Sequence, residues 1–201
     1  TSTRSGRARS TPLSWLHRRL PLHERPKQTN HLRKVDLVMV PTAERAVVHK
    51  SVRVAVPIAQ AFSIFVEQME TWWPATHHIA PHPFETIIVE PRVGGRWYER
   101  DAQGNDCSWG FVRAWDPPHL VTLSWHLQQD WSFDLDASHA SDIDIRFTAE
   151  DPSSTLVELT HYNLERHGEG YLDLREKLDG PGAWITILDA YAKRVGEGEL
   201  L

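Results

Sequence analysis

Residues 180–195 read Gly-Pro-Gly-Ala-Trp-Ile-Thr-Ile-Leu-Asp-Ala-Tyr-Ala-Lys-Arg-Val, and this stretch decides the fold. Gly180-Pro181-Gly182 breaks the preceding segment and launches a helix from Ala183 to Val195. On it Trp184, Ile187, Leu188, Tyr191 and Val195 recur at three- and four-residue intervals and form one apolar stripe. Such a helix is about 20 Å long at 1.5 Å per residue. It is the long apolar stripe available to lie across whatever sheet precedes it.

Upstream, the periodicity changes from helical to alternating. Val52, Val54 and Val56 share one face of a first strand, which Pro57 stops. Ile58, Ala61, Phe62, Phe65 and Met69 then recur with helical spacing until Trp72-Trp73-Pro74 ends the pattern. A proline-bearing loop follows, and Phe84 to Glu90 resumes extended structure up to Pro91. Arg92-Val93-Gly94-Gly95 reads as a hairpin connection into Arg96–Asp101, and Gly104 marks the next turn, into Cys107–Trp115. After Asp116-Pro117-Pro118, the residues Val121, Leu123, Trp125 and Leu127 share a face. Ile143, Ile145 and Phe147 alternate with Asp142, Asp144 and Arg146, and Val157, Leu159 and His161 face one way in the last strand. A short helical piece is predicted around Tyr171–Leu178. The order is strand, helix, six-strand meander, long C-terminal helix. This makes an α+β domain with a curved seven-stranded antiparallel sheet, and it contains no alternating strand–helix units that could build a parallel sheet. A sheet gripping one helix naturally leaves a cavity.

The two ends of the chain differ in charge. Residues 1–38 hold nine Lys or Arg against Glu24 and Asp36, a net +7, whereas residues 39–201 hold thirteen Lys or Arg against twenty-five Asp or Glu, a net −12. The basic opening lacks an apolar core of the kind a secretory signal needs and reads as disordered. We therefore divide the chain into a basic N-terminal extension, 1–40, and a folded domain, 41–201. The extension has three readings: a transit-like targeting arm, an anion-binding arm, or a stretch upstream of the true start at Met39. The last is the one we favour. Composition excludes other classes. At 201 residues and 40% hydrophobic the chain can bury a core, and no apolar run approaches bilayer length, so no membrane insertion is expected. Cys107 is the only cysteine and cannot form an internal disulfide, so cytoplasmic localisation is favoured by elimination.

Taken in order, Val54-Ala55-Val56-Pro57, Ala61-Phe62, Trp72-Trp73-Pro74, Val93-Gly94-Gly95-Arg96, Gly110, Pro117-Pro118, Leu120, Trp125, Leu159-Thr160-His161 and Gly182-Ala183-Trp184 form a pattern. It resembles the activator of heat-shock protein 90 ATPase homologue-like family, within the START-like, polyketide-cyclase (SRPBCC) superfamily of helix-grip domains. The similarity covers roughly residues 46–195. The resemblance implies a helix-grip fold with a pocket between sheet and C-terminal helix, and it implies no shared catalytic residues, because the family spans binders, stress proteins and putative enzymes.

Nine tryptophans stand beside six Phe and four Tyr, and such an excess of large rings fills a core or lines a binding site. The rings expected to converge on the concave face are Trp72, Trp73, Tyr98, Trp109, Trp125 and Trp184, with Leu188 on the closing helix and His161 as a polar candidate between apolar neighbours. These eight residues are the candidate ligand-binding set; taken singly, each is better explained as core. His77, His78 and His82 invite a metal reading, but no Cys or acidic residue has ligand spacing nearby, and the loop reads as a surface cover or lid. No metal and no cofactor are expected. Asp142 and Asp144 oppose an apolar face and read as solvent-side charges. Arg96 and Arg100 could hold a ligand carboxylate or form surface ion pairs, with Glu99 expected in solvent on the other face. Asp106 beside Cys107 would raise the thiol pKa, against a nucleophile. No nucleophile elbow, phosphate loop or dinucleotide fingerprint is present, and the acidic domain argues against specific nucleic-acid binding.

The leading expectation is therefore a domain that binds a small hydrophobic or amphipathic molecule between the sheet and the helix Ala183–Val195, with no reaction assigned. The alternatives are a co-chaperone-like protein-interaction module, and a cyclase, dehydratase or hydrolase using His161, Tyr98 or Arg100. The expected partners are accordingly a small molecule or a protein. One prediction concerns the extension: deleting residues 1–38 should leave the melting temperature unchanged, and a marked drop in a thermal scan would refute its separation from the domain.

Overall fold

A computed structural model describes residues 46–197, and the basic extension 1–40 lies outside the described residues. The chain forms β1 (Val48–Val54), α1 (Ile58–Val66), β2 (Phe84–Val89), β3 (Arg96–Asp101), β4 (Asp106–Asp116), β5 (Leu120–Trp125), β6 (Ser141–Asp151), β7 (Ser154–Tyr162), α2 (Tyr171–Asp179) and α3 (Trp184–Glu197). Short 3-10 helices occupy Met69–Thr71 and Leu164–His167. The strands form one seven-stranded antiparallel sheet in the order β1-β7-β6-β5-β4-β3-β2. The expected α+β helix-grip architecture is thus the observed one.

Its topology follows from two connections. The meander β2 to β7 pairs every strand with its predecessor, as short turns dictate. The segment carrying α1 joins β1 at one edge to β2 at the other, because β1 pairs only with β7. Pro57 supplies the fixed φ and the carbonyl that accepts the first helical bond, from Ala61 N at 2.9 Å. The buried face of α1 (Ala61, Phe62, Ile64, Phe65, Val66) then lands on the sheet, where the Phe62 and Phe65 rings meet Phe147 of β6 at 5.2 and 5.6 Å. The α1 pattern extends to Met69 because the 3-10 turn keeps that side chain buried after the helix has ended.

The helix α3 lays its stripe where the sequence placed it. Trp184, Ile187, Leu188, Tyr191 and Val195 are all buried. The Tyr191 hydroxyl donates to Ala61 O at 2.9 Å, which ties α3 to α1, and burial raises its pKa. Lys50 is on the inward face of β1, and its ammonium reaches Asp179 at the end of α2 at 2.6 Å.

One sheet irregularity positions the site. Trp97 pairs with Gly110 but Tyr98 pairs with Ser108, so Trp109 is an extra residue in β4. A bulge of this kind re-aims the side chain it inserts and switches strand parity. It brings Trp109 onto the concave face beside Trp97. Next to it, Gly110 lies so close to the Ser124 carbonyl of β5 that no side chain fits there. Substituting Gly110→Ala should therefore force β4 and β5 apart and cost about 1–3 kcal/mol or more, as for overpacked interiors. A urea midpoint equal to wild type would show that the strands have slack.

Candidate functional site

Between the sheet, the loop at residues 74–80, the loop at 128–140 and the start of α3 lies a cleft of about 470 Å³. Its wall is built mainly from four indoles, Trp109, Trp125, Trp131 and Trp184, with Ile79, Leu178 and Ile187. Trp125 is the hub: its ring centroid lies 5.5 Å from Trp109, 5.6 Å from Trp184 and 6.4 Å from Trp131, all edge to face. Behind this wall Trp97 and Trp73 extend the cluster, at 5.3 Å from Trp109 in each case. Edge-to-face geometry suits the ring quadrupoles and adds about 0.5–1.5 kcal/mol per pair beyond area burial.

The eight candidate residues fall into four groups. Trp109, Trp125 and Trp184 line the cleft. Trp72 and Trp73 are buried behind it: Trp72 packs on Phe65 and Tyr191, and Trp73 on Trp97 and Trp109. Leu188 is fully buried in the core, and His161 is fully buried behind Trp125 and Trp184. Tyr98 is the correction. Alternation in β3 turns Trp97 and Glu99 inward and Tyr98 outward, where the guanidiniums of Arg96 and Arg100 cover its ring at 4.0 and 5.9 Å. The same parity settles the arginines as surface pairs: Arg96 reaches Glu90 and Asp106 at 3.1 and 3.2 Å, and Arg100 reaches Asp106 at 2.8 Å.

Glu99, expected in solvent, is fully buried. It is tolerated there because donors converge on it. Ile79 N and Ala80 N hydrogen-bond its carboxyl, and Trp109 Nε1 donates to it at 3.0 Å. Glu99 thereby fastens the loop carrying His77 and His78 to β3. The loop is fixed at two further points, by Trp73 Nε1 donating to His77 O at 2.7 Å and His77 Nε2 donating to Gly182 O at 2.8 Å. His78 Nδ1 bonds Ala80 O at 3.1 Å. Among the described residues no group of three or more His, Cys, Asp or Glu is placed to hold a metal ion. Cys107 has its thiol pKa raised, first by burial and then by the charges of Glu99, Asp101 and Asp106.

Behind Trp184 runs a polar chain whose direction is fixed by chemistry. The Trp184 Nε1–H can only donate, and it lies 3.2 Å from His161 Nδ1, so the proton of His161 is on Nε2. That nitrogen is 2.7 Å from Ser141 Oγ, which is in turn 2.8 Å from His167 Nε2. The serine accepts from His161 and donates to His167, and His167 Nδ1 faces Gln128 Oε1 at 3.3 Å. Both imidazoles are neutral. Burial holds His161 down to about 3, with His167 adding repulsion, and burial likewise holds His167 down to about 4. The chain ends at Gln128, where the loop 128–140 begins.

That loop carries the residues the sequence reading missed. Asp130, Asp134 and Asp136 each accept the N–H two residues on, and Leu127 bridges to Phe133. These side-chain turns leave Trp131 at φ 66° and 44% exposed, over the edge of Trp125. A bulky residue in the left-handed region is strained. Lys177 of α2 also reaches the cleft, its ammonium donating to Gln129 O at 3.1 Å.

A curved antiparallel sheet closed by a C-terminal helix, with an aromatic cleft between them, defines a helix-grip, ligand-binding class of domain. The chain belongs to the Activator of Hsp90 ATPase homolog 1-like protein family, which matches residues 55–192. Among solved structures it is similar to the anthrahydroquino-gamma-pyrone synthase Txn09, with 35% identity over 73% of this chain and 95% of the other, at a TM-score of 0.53. It is also similar to CalC of Micromonospora echinospora, a self-sacrificing resistance protein, with 28% identity over 77% of this chain and 96% of the other, at a TM-score of 0.59. Protein NE0264 of Nitrosomonas europaea shares the fold at 15% identity, over 79% of this chain and 99% of the other, at a TM-score of 0.56. A comparison with curated proteins returned no match. Among the described residues no helix is long and apolar enough to cross a membrane.

The buried histidines set an acid limit. Their folded pKa values lie below the ordinary histidine value near 6.5, so the unfolded chain takes up protons first as pH falls. The stability they contribute is full above pH ~6.5 and is lost progressively as pH falls to about 4 for His167 and about 3 for His161, by an amount on the order of a few kcal/mol per group. His139, raised by its hydrogen bond to Asp134, works in the opposite sense but is exposed. The melting temperature should therefore decline from pH 6.5 to 4.5, and a flat profile over that window would contradict two neutral buried imidazoles.

Proposed function

We propose that this domain binds a small hydrophobic or amphipathic molecule with a planar aromatic part, held in the cleft between the sheet and α3. The observation that carries the reading is the wall itself. Four indoles edge a cleft of about 470 Å³, a volume suited to a drug-sized ligand. One of them, Trp131, is kept in a strained and half-exposed position by the loop around it. Strain of this kind persists where surrounding structure over-determines it, and it clusters at functional sites. A flat ring system entering the cleft would cover Trp131 and stack on or edge against its neighbours, as bases do on aromatic platforms. The 35% identity to a synthase named for an anthrahydroquino-gamma-pyrone supports the same ligand class.

A second reading, a cyclase, dehydratase or hydrolase acting on a ligand in this cleft, is favoured by that same relative. Proton-transferring groups in the wall are His77 and His78, with Lys177, whereas Tyr98 and Arg100 face away and His161 is sealed behind Trp184. The protein-interaction reading draws on the family name and on the exposed Trp131 and Leu135 of one loop.

Native mass spectrometry before and after exposure to a lipid and metabolite extract tests the binding reading. A discrete adduct that is lost on denaturation supports it; a folded, intact chain with no adduct under any condition favours protein interaction. Replacing Trp131 with glycine separates binding from stability. Because glycine relieves the positive φ while forfeiting the Trp125 edge contact, Trp131→Gly should keep the melting temperature within the equivalent of about 1 kcal/mol of wild type while weakening ligand retention. Unchanged retention in that variant would remove Trp131 from the site.

A further inference from the structure

The cleft wall is sorted by charge in a way the rest of the domain is not. Residues 39–201 hold thirteen cationic side chains against twenty-five acidic ones. Yet the cleft lining contains no Asp or Glu, and its one formally charged side chain is Lys177. The nearest buried acid, Glu99, has its oxygens turned to Ile79 N, Ala80 N and Trp109 Nε1 behind the wall. Asp130 lies within electrostatic reach of Lys177, but its carboxylate is held by the N–H and hydroxyl of Ser132, and it is not part of the lining.

Lys177 is held in place. It stands in the last turn of α2, where a cation complements the helix dipole, and its ammonium donates to Gln129 O at 3.1 Å. Gln129 is itself fixed, since its side-chain amide donates to Glu169 O at 2.6 Å and fills the space beside Gly170. One of the three ammonium N–H donors is therefore used, and the other two have no hydrogen-bonded partner among the described residues. Across the cleft, His77 and His78 each have one ring nitrogen engaged with a backbone carbonyl. The indoles give an apolar, ring-accepting body, and the mouth offers a positioned cation with donors and no competing carboxylate.

We infer that the occupant of this cleft is an aromatic anion: a fused-ring molecule carrying an ionised oxygen group, a carboxylate or a phenolate, which Lys177 meets while the rings lie among Trp109, Trp125, Trp131 and Trp184. This inference rests on the ligand-binding reading above and narrows it. The charge contrast between wall and domain makes the cleft a local exception to an acidic field, so selection between an anion and its neutral analogue is made by Lys177 at contact, not by long-range steering.

The test is isothermal titration of the full chain at pH 7.5 with 2-naphthoate, a nitro-substituted naphthol that is ionised at that pH, and the neutral isostere 2-naphthamide. Naphthoate should bind about five- to tenfold more tightly than naphthamide, the range expected for a charge-assisted hydrogen bond in a partly exposed site. Lys177→Met should abolish that preference, naphthoate and naphthamide binding equally in the variant, whereas Lys177→Arg should retain most of it. Lys177 is exposed and its side chain makes one hydrogen bond, so both variants should melt within a few degrees of wild type. The ionised nitronaphthol binding as tightly as naphthoate identifies the phenolate as an equal source of the anion; weaker binding assigns the site to carboxylates. Equal affinity for naphthoate and naphthamide, or a preference that survives Lys177→Met, overturns the anion inference and leaves the cleft as a neutral aromatic site. Failure of all three probes to bind overturns the ligand-binding reading and this inference with it.

Discussion

The contact between Trp184 and Trp125 is the one on which the rest of the structure depends. Trp184 opens α3 and Trp125 ends β5, and their rings meet edge to face at 5.6 Å. This seats the helix on the sheet beside the cleft, so the same pair that closes the core also lines the cleft. From Trp184 a hydrogen-bonded chain through His161, Ser141 and His167 reaches Gln128. From Trp125 the ring contacts run to Trp109 and Trp131. Helix, sheet and loop are therefore joined through one junction.

The cleft persists because its walls are held apart by polar anchors as well as packed together. Glu99 fastens one loop to β3, His77 joins that loop to Gly182, and Lys177 joins α2 to Gln129. Each anchor is a hydrogen bond to a backbone group, so each fixes a loop without filling the space between them. A purely apolar lining of this size would be expected to collapse around smaller residues; rigid indoles with satisfied N–H groups resist that. Trp109, Trp125 and Trp184 each donate to a buried acceptor within 3.2 Å. The result is a rigid aromatic concavity, which lowers the ordering cost that a ligand must overcome on binding.

The architecture was legible in the sequence because two periodicities carry it. Alternation in Val121–Trp125, Ile143–Phe147 and Val157–His161 and the three–four spacing of Trp184–Val195 depend only on which face of a regular element is covered. Trp125 and Trp184 were legible as cleft candidates for the same reason, whereas Trp109 was a candidate for its ring alone and the bulge turns it inward. Tyr98 and Glu99 were not. Their faces depend on the parity of β3 relative to β4, and the bulge at Trp109 resets that parity at a position no local pattern marks. A buried glutamate also contradicts every compositional expectation until the N–H groups of Ile79 and Ala80, twenty and nineteen positions away in the chain, arrive beside it.

The loop 128–140 completes the division. Its spaced aspartates Asp130, Asp134 and Asp136 announce side-chain turns, but nothing local says that those turns will carry Trp131 back over Trp125. The sequence by itself determined the elements, their order, the buried stripe of the closing helix and the family, because these rest on interactions between near neighbours in the chain. Only the tertiary structure decided which rings face the cleft, that Glu99 is buried and that Lys177 stands alone among the lining side chains as a formal charge. Those properties are set by strand register and loop docking, which bring together groups from β3, β4, β5, α2 and α3 that share no local pattern.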